Sequence, residues 1–290
     1  MSARILDGNA VAAAVKDKVT AEVTALAHRG ISVGLGTILV GDDPSSSRYV
    51  AMKHKDCAEV GIVSHHRQLD ARTSMPELLE CIAELNESAD IDSILLQLPL
   101  PPHLSQLDAL LAVSPAKDVD GLHPANLGRL VMSEPGPLPC TPAGIVELLR
   151  FYDVEVAHRK VVVVGRGLTV GRPLGLLLSS KYPGCNATVT IAHTGSADLG
   201  EITRQGDIVI SAVGVANLIT AEMIKPGAVV IGAGTPFVNG KLASDIDASV
   251  AVQASAITPT IGGVGPMTRA MLLVNTVRAA DLRSERDRAS

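Results

Sequence analysis

The chain has no tryptophan, only two phenylalanines and only three tyrosines among 290 residues. A surface that stacks nucleobases on aromatic rings needs more rings than this. No block of lysine and arginine accompanies them, and the formal net charge is −5. A nucleic-acid platform is excluded on both counts. Four cysteines (Cys57, Cys81, Cys140 and Cys185) are widely scattered, with no C-x-x-C pair. That pattern argues against structural zinc and against a disulfide framework, and it fits reduced thiols in the cytoplasm. No apolar run reaches the length of a membrane span. The N-terminal stretch carries Asp7 and Lys16 in an amphipathic run and lacks the apolar segment of a secretory signal.

What the chain does have is aliphatic residues: 47% is hydrophobic, mostly Ala, Val and Leu, which suits parallel sheets covered by helices. The length has room for two domains. Helical and strand patterns alternate throughout. Residues 9–29 read as a helix, 34–41 as a strand, 46–61 as a helix and 62–69 as a strand. Ser74 opens the next helix with Glu77 in a capping box. Residues 92–102 read as a strand ended by prolines and 103–113 as a helix. A proline- and glycine-rich loop follows from Ser114 to Pro139. Thr141 caps a helix with Pro142 at its first position. The fold class is therefore α/β, with two α/β domains. The second is a Rossmann-type dinucleotide-binding domain, and the expected active site is the cleft between them.

The second domain is announced by VVVVGRGLTVGRP, Val161 to Pro173. Four β-branched residues make a buried strand, Gly165, Gly167 and Gly171 punctuate a turn, and an apolar run makes a helix. Strand, glycine turn and helix let a backbone approach a pyrophosphate and aim a helix N-terminus at it. The alternative is a turn that needs glycine only for positive φ. The second strand, Ala187 to Ser196, ends in Ala192, His193 and Thr194, without the carboxylate that would hold the ribose hydroxyls of NAD. Arg166 lies in the glycine turn and Arg172 just after it. A missing acid beside arginines favours a 2′-phosphate, and so NADP, unless these arginines are solvated surface charges.

Tyr49, Lys53, Cys57 and Val60 share one helix face. Lys53 thus sits on a stripe that points inward, where burial lowers an amine's pKa and makes it a usable acid or base. The bland alternative is a lysine whose amine snorkels to water. Gln97 interrupts the apolar run ILLQLPLP, either as a satisfied core amide or as a group aimed into a site at the strand's carboxyl end. Asp118 and Asp120, in KDVDG, could cap, turn, bind a metal or hold an amine-bearing substrate.

YVAMKHK (49–55), QLPLP (97–101), KDVDG (117–121), PCTPAG (139–144), GRGLTVGRP (165–173) and GGVGPMT (262–268) occur in this order. Together they resemble the bifunctional methylenetetrahydrofolate dehydrogenase/methenyltetrahydrofolate cyclohydrolase family over nearly the whole chain. The resemblance implies NADP-linked oxidation of a methylene carbon followed by hydrolysis of the methenyl cation, in a cytoplasmic homodimer serving one-carbon metabolism and purine biosynthesis. It implies that Lys53 is the catalytic lysine, Tyr49 packs along the folate rings, Gln97 tunes Lys53 and Asp120 holds the pterin's amino edge. Gly262, Gly263 and Pro266 would close over the folate. Gly165, Arg166, Gly167, His193, Thr194 and Thr235 would hold the cofactor. The expected domains are a folate-binding catalytic domain, 1–146, with the helix 266–282 packing back on it, and an NADP-binding domain, 147–265. Residues 283–290 form a frayed polar tail.

Three positions depart from the family's pattern: Gly167 replaces a serine, Gly232 an aspartate, and Ile261 a proline. They fall mostly in the nucleotide domain, so the alternative they raise is a cyclohydrolase-only or non-catalytic homologue.

Overall fold

A computed structural model describes residues 3–238 and 240–289. In chain order the elements are β1 (Arg4–Ile5), α1 (Gly8–His28), β2 (Gly34–Val40), α2 (Pro44–Val60), β3 (Val63–Leu69), α3 (Met75–Glu87), β4 (Ser93–Leu96), α4 (Gln106–Ala112), α5 (Pro124–Met132) and α6 (Cys140–Phe151). They continue with β5 (Lys160–Val164), α7 (Gly171–Ser179), β6 (Thr188–Ala192), α8 (Leu199–Thr203), β7 (Ile208–Ser211), β8 (Val229–Gly232), β9 (Phe237–Val238), β10 (Lys241–Leu242), β11 (Ala256–Ile257) and α9 (Val264–Ala289).

Two compact units emerge. The first contains the stretch ending at Ala13, Leu130–Pro135 and Thr141–Thr268; the second contains Ala14–Arg129, Gly136–Cys140 and the chain from Arg269. The first unit is built on a six-stranded parallel sheet, ordered β1-β11-β8-β7-β5-β6. Its core gathers Val162, Val164, Val209, Val230 and Ile257 from the strands with Ile219, Ile246 and Val250 from the connections. Each such side chain removed from water contributes about 1.5–3 kcal/mol. The second unit holds the parallel sheet β3-β2-β4, in which β2 and β4 are buried along their whole length.

The architecture matches the α/β expectation, and the differences have local causes. The N-terminal residues were expected with the first domain; instead Arg4 and Ile5 pair with Ala256 and Ile257 of β11. The division expected at 146/147 falls inside α6, whereas the units change over at Cys140/Thr141. That helix begins before Thr141, whose hydroxyl bonds Thr268 at 2.9 Å rather than capping. α2 begins at Pro44 because the Asp43 carboxylate accepts the Ser46 N–H at 2.8 Å and Pro44 presets the first turn. α5 lies within the stretch expected to be loop. The strand before Gln97 is only four residues, Ser93–Leu96.

The polar tail is not frayed over the described residues: α9 runs helical to Ala289. Arg283 explains why. Its Nε donates to Asp92 Oδ1 at 2.6 Å, and Asp92, with 0% of its side chain exposed, also accepts the Gly34 N–H at 2.8 Å. Nearby, Arg29 of α1 reaches Asp281 at 3.0 Å and Ser284 Oγ at 2.8 Å. Removing the guanidinium would leave a buried carboxylate with a single donor among these contacts. Arg283→Ala is therefore expected to lower unfolding free energy by about 2–4 kcal/mol in urea denaturation. A change under 0.5 kcal/mol, the usual size at an exposed site, would mean that the tail is not an anchor.

Candidate active site

In the second unit, α2 carries a buried stripe of Val50, Lys53, Asp56, Cys57 and Val60. Lys53 is 3% exposed. Its Nζ donates to Gln97 Oε1 at 3.1 Å and stands 4.7 Å from the Tyr49 ring centroid. Burial holds the amine below the ordinary lysine range; the Asp120 carboxylate opposes that shift and the Arg269 guanidinium adds to it. Burial also pushes the Cys57 thiol up to about 12 and the Cys140 thiol well above the usual thiol range, so both stay uncharged near neutrality. The spacing argument and the structure agree that Lys53 points inward. The snorkelling alternative fails.

Gln97 is fixed at three points. Its backbone N–H donates to Ile38 O at 2.9 Å, extending the β2–β4 ladder by one residue. Its Nε2 donates to Leu98 O at 2.7 Å, which turns Oε1 toward Lys53. Leu98–Pro99 is a cis peptide. His54, the neighbour of Lys53, joins a different network: Nδ1 pairs with Ser64 Oγ at 2.7 Å and Nε2 with Thr37 Oγ1 at 3.0 Å.

The two acids of KDVDG part company. Asp118 is buried and accepts from the backbone of Leu122 at 3.3 Å and His123 at 2.8 Å, and from Asn126 Nδ2 at 2.8 Å. It is the structural member, shaping the turn that leads into α5. Burial raises its pKa against those hydrogen bonds. Asp120 is half-buried and acts electrostatically on Lys53 and Cys140. The turn just after Asp120 needs Gly121, at φ +66, where a Cβ would meet Leu138 C at 2.6 Å. Asn275 of α9 holds this loop by donating to Val119 O at 2.8 Å and Leu138 O at 3.0 Å. No local sequence signal marked Asn275 or Asn126.

In the first unit, β5 feeds the glycine turn and α7. A Cβ on Gly165 (φ +120) would lie 2.6 Å from Ala212 O, and one on Gly171 would lie 2.2 Å from Gly165 O. These two glycines are required by close backbone approach. Gly167 is exposed, and a Cβ there would meet nothing within 4 Å. The N-cap of α7, Val170, makes no side-chain capping bond. The Arg172 N–H is taken by Gly167 O at 3.2 Å and Pro173 has none to offer, so within the first turn the Gly171 N–H is the group left to face an anion.

Arg166 and the end of β6 come together. Arg166 Nη1 lies 3.5 Å from His193 Nε2, while His193 Nδ1 accepts the Gly195 N–H at 3.0 Å. A neutral ring that accepts at Nδ1 carries its proton on Nε2. Two donors therefore face each other, an arrangement that a phosphate oxygen satisfies and a carboxylate-free strand end leaves room for. The donor set fits NADP. Thr194 is exposed beside His193, and Thr235 is exposed in the loop after β8.

Sequence reasoning also missed Asp245. It is fully buried; Oδ2 accepts from Ser211 Oγ and the Val213 N–H, each at 2.9 Å, and Oδ1 has no partner among the described residues. A Cβ on Gly234 would lie 2.1 Å from it. In the same unit, Gly262 (φ +85) and Gly263 are forced by approach to Asn9 Nδ2 (2.3 Å) and Pro259 O (2.5 Å). Pro266 is half-buried in the first turn of α9.

Comparison with known proteins finds two family domains in the chain. Residues 6–120 match the tetrahydrofolate dehydrogenase/cyclohydrolase catalytic domain, and residues 139–284 match that family's NAD(P)-binding domain. The bifunctional protein FolD of Syntrophotalea carbinolica is 51% identical over 286 residues, 99% of each chain. The crystal structure of the bifunctional enzyme FolD from Campylobacter jejuni superposes with a TM-score of 0.93 at 40% identity, covering 97% of this chain and 100% of that one. The Trypanosoma brucei methylenetetrahydrofolate dehydrogenase-cyclohydrolase, solved with NADP and an inhibitor, gives 0.92 at 38% identity over 98% and 99%. With both domains matched and a relative half identical along its whole length, the chain belongs to the tetrahydrofolate dehydrogenase/cyclohydrolase family.

Proposed function

We propose that the chain oxidises 5,10-methylenetetrahydrofolate to the 5,10-methenyl cation with NADP and then hydrolyses that cation to 10-formyltetrahydrofolate. The observation that carries this is the buried Lys53 amine, tied to Gln97 and stacked over Tyr49 beside Asp120. Family membership supports both half-reactions. The same resemblance supports a homodimer in the cytoplasm, supplying one-carbon units for purine biosynthesis.

NADP, when bound, accepts the hydride that leaves the methylene carbon. The chain's task in that step is placement. Gly165, Gly167 and the turn that leads into α7 at Gly171 receive the phosphates. Arg166 and His193 converge on the 2′-phosphate with Thr194 beside them, and Thr235 lies toward the nicotinamide. Tyr49 packs on the folate rings, and Asp120 accepts N–H groups from the pterin edge. For Gly262, Gly263 and Pro266 the resemblance supports a folate-binding role.

Hydrolysis uses Lys53 directly. Kept neutral by burial, its amine takes one proton from water as the oxygen bonds to the cationic carbon. The bond from that carbon to N5 then breaks, the remaining hydroxyl proton passes to N5, and the formyl group stays on N10. Lys53 afterwards releases its proton to solvent. Gln97 accepts an N–H from the amine in either protonation state, so it orients the lone pair without consuming it.

Purified protein mixed with methylenetetrahydrofolate and NADP is expected to reduce the cofactor with little build-up of methenyl absorbance, and to do so less well with NAD. No reduction with either would overturn the dehydrogenase half, and direct hydrolysis of methenyltetrahydrofolate tests the other. Arg166→Ala should lower the preference for NADP over NAD by about tenfold or more, as expected for losing a charge-assisted contact. An unchanged ratio would assign the 2′-phosphate to another group.

Lys53→Met should abolish hydrolysis and raise the melting temperature at pH 7. The sign follows from linkage: the folded amine titrates below the unfolded value of 10.5, so its stabilising share is complete only above that pH and is lost as pH falls. At neutral pH the lysine is a stability cost that methionine removes. A lower melting temperature would contradict the burial argument, and retained hydrolysis would remove Lys53 from the chemistry.

A further inference from the structure

Beside Lys53 lies a charge cluster that the proposed mechanism leaves unused. Asp56 is three residues on from Lys53 along α2, on the same face, and its side chain is 7% exposed. Its Oδ2 accepts from Arg269 Nε at 2.6 Å, and its Oδ1 from Lys16 Nζ at 2.5 Å. Lys16 also meets Glu59 at 2.7 Å, at the exposed rim. Arg269 belongs to α9, so a residue far along the sequence is pinned next to the α2 stripe, its side chain 19% exposed. Holding a guanidinium this far out of water costs energy unless a carboxylate receives it. Asp56 supplies that carboxylate and thereby fixes where the Arg269 charge stands.

We propose that Arg269, fixed by the Asp56–Lys16 cluster, is a positioning residue that acts through Lys53, its nearby positive charge keeping the Lys53 amine in the proton-accepting form. This rests on the reading of Lys53 as the base in hydrolysis. The groups around Lys53 come from five places: Tyr49, His54, Asp56 and Cys57 on α2, Gln97 after β4, Asp120 in the loop before α5, Cys140 on α6 and Arg269 on α9. The thiols carry no charge near neutrality. The Asp120 carboxylate therefore favours the protonated amine, and Arg269 on α9 is the cation that opposes it. Burial is the main cause that holds the amine down; Asp120, needed to hold substrate, works against it, and Arg269 works with it. Arg269 offsets part of the Asp120 effect, and it also balances the buried Asp56 carboxylate three residues from Lys53.

The test separates this role from simple bracing of α9. Wild type, Arg269→Gln and Arg269→Lys would be prepared with lysine carrying carbon-13 at the ε position, whose resonance follows amine protonation. The Lys53 signal is identified by its absence in Lys53→Met. Titration is then compared with the pH profile of methenyltetrahydrofolate hydrolysis. In Arg269→Gln, Lys53 is expected to titrate at higher pH, with the acid limb of kcat moving the same way and KM unchanged. Each half-unit rise removes roughly threefold of the neutral amine on that limb. Arg269→Lys should restore both readouts.

An unmoved Lys53 resonance in Arg269→Gln would overturn the inference and leave the base assignment standing. A moved resonance with an unmoved limb would overturn the base assignment, and the inference with it. If Arg269→Gln yields too little folded protein, Asp56→Asn/Arg269→Gln removes both partners of the pair. It is expected to move the titration in the same direction by a smaller amount, and no movement would again overturn the inference.

Discussion

Keeping an amine dry is the constraint around which the second unit is organised. An unpaired ammonium in an apolar setting costs several kcal/mol, and the cost is reduced when the group is neutral and its N–H groups are accepted. Four neighbours of Lys53 serve these ends. Cys57 and Val60 continue the stripe that excludes water, Gln97 accepts an N–H, and the Tyr49 ring covers the amine. Even the loop that carries Asp120 depends on groups that never reach the amine: Asp118 and Asn126 shape it, and Asn275 ties it to α9. Loosening that support would change the lysine's surroundings without touching the lysine.

The first unit solves a different problem, the approach of backbone to a polyanion. Two of its three turn glycines are there because other backbone occupies the space a Cβ would need, while Gly167 faces open space. The serine that the family usually carries at that position would fit without displacing anything. Its absence therefore costs one hydroxyl donor and no packing. The opposed N–H groups of Arg166 and His193 show the same economy: donors that repel one another in isolation become favourable once an anion lies between them.

Features coded by neighbours in sequence were legible. The valine run became β5, the Ser74–Glu77 capping box formed, and the stripe on α2 put Lys53 inside. Features made by distant partners were not. Two residues of β1 have no periodicity, and only their pairing with β11 makes them a strand. α5 hides in a segment rich in helix breakers because Pro124 occupies its first position, where proline costs nothing. Nothing local in the sequence marks Arg283 or Arg269; the fold brings Asp92 and Asp56 to them, across 191 and 213 residues of sequence. Asp118 and Asp120 looked equivalent, and only their surroundings assign one to the turn and the other to the site.

The interleaving of the two units has a consequence for the order in which the protein can be made. Residues 14–129 leave the ribosome long before Arg269–Ala289, yet both stretches belong to the same unit. During synthesis Asp92 and Asp56 wait without their arginines while the whole of Thr141–Thr268 is translated. The first unit already has its N-terminal strand and its contiguous middle, and so can close first, although domains more often fold in the order they emerge. The lysine-bearing unit is the earlier to be synthesised and the later to be finished.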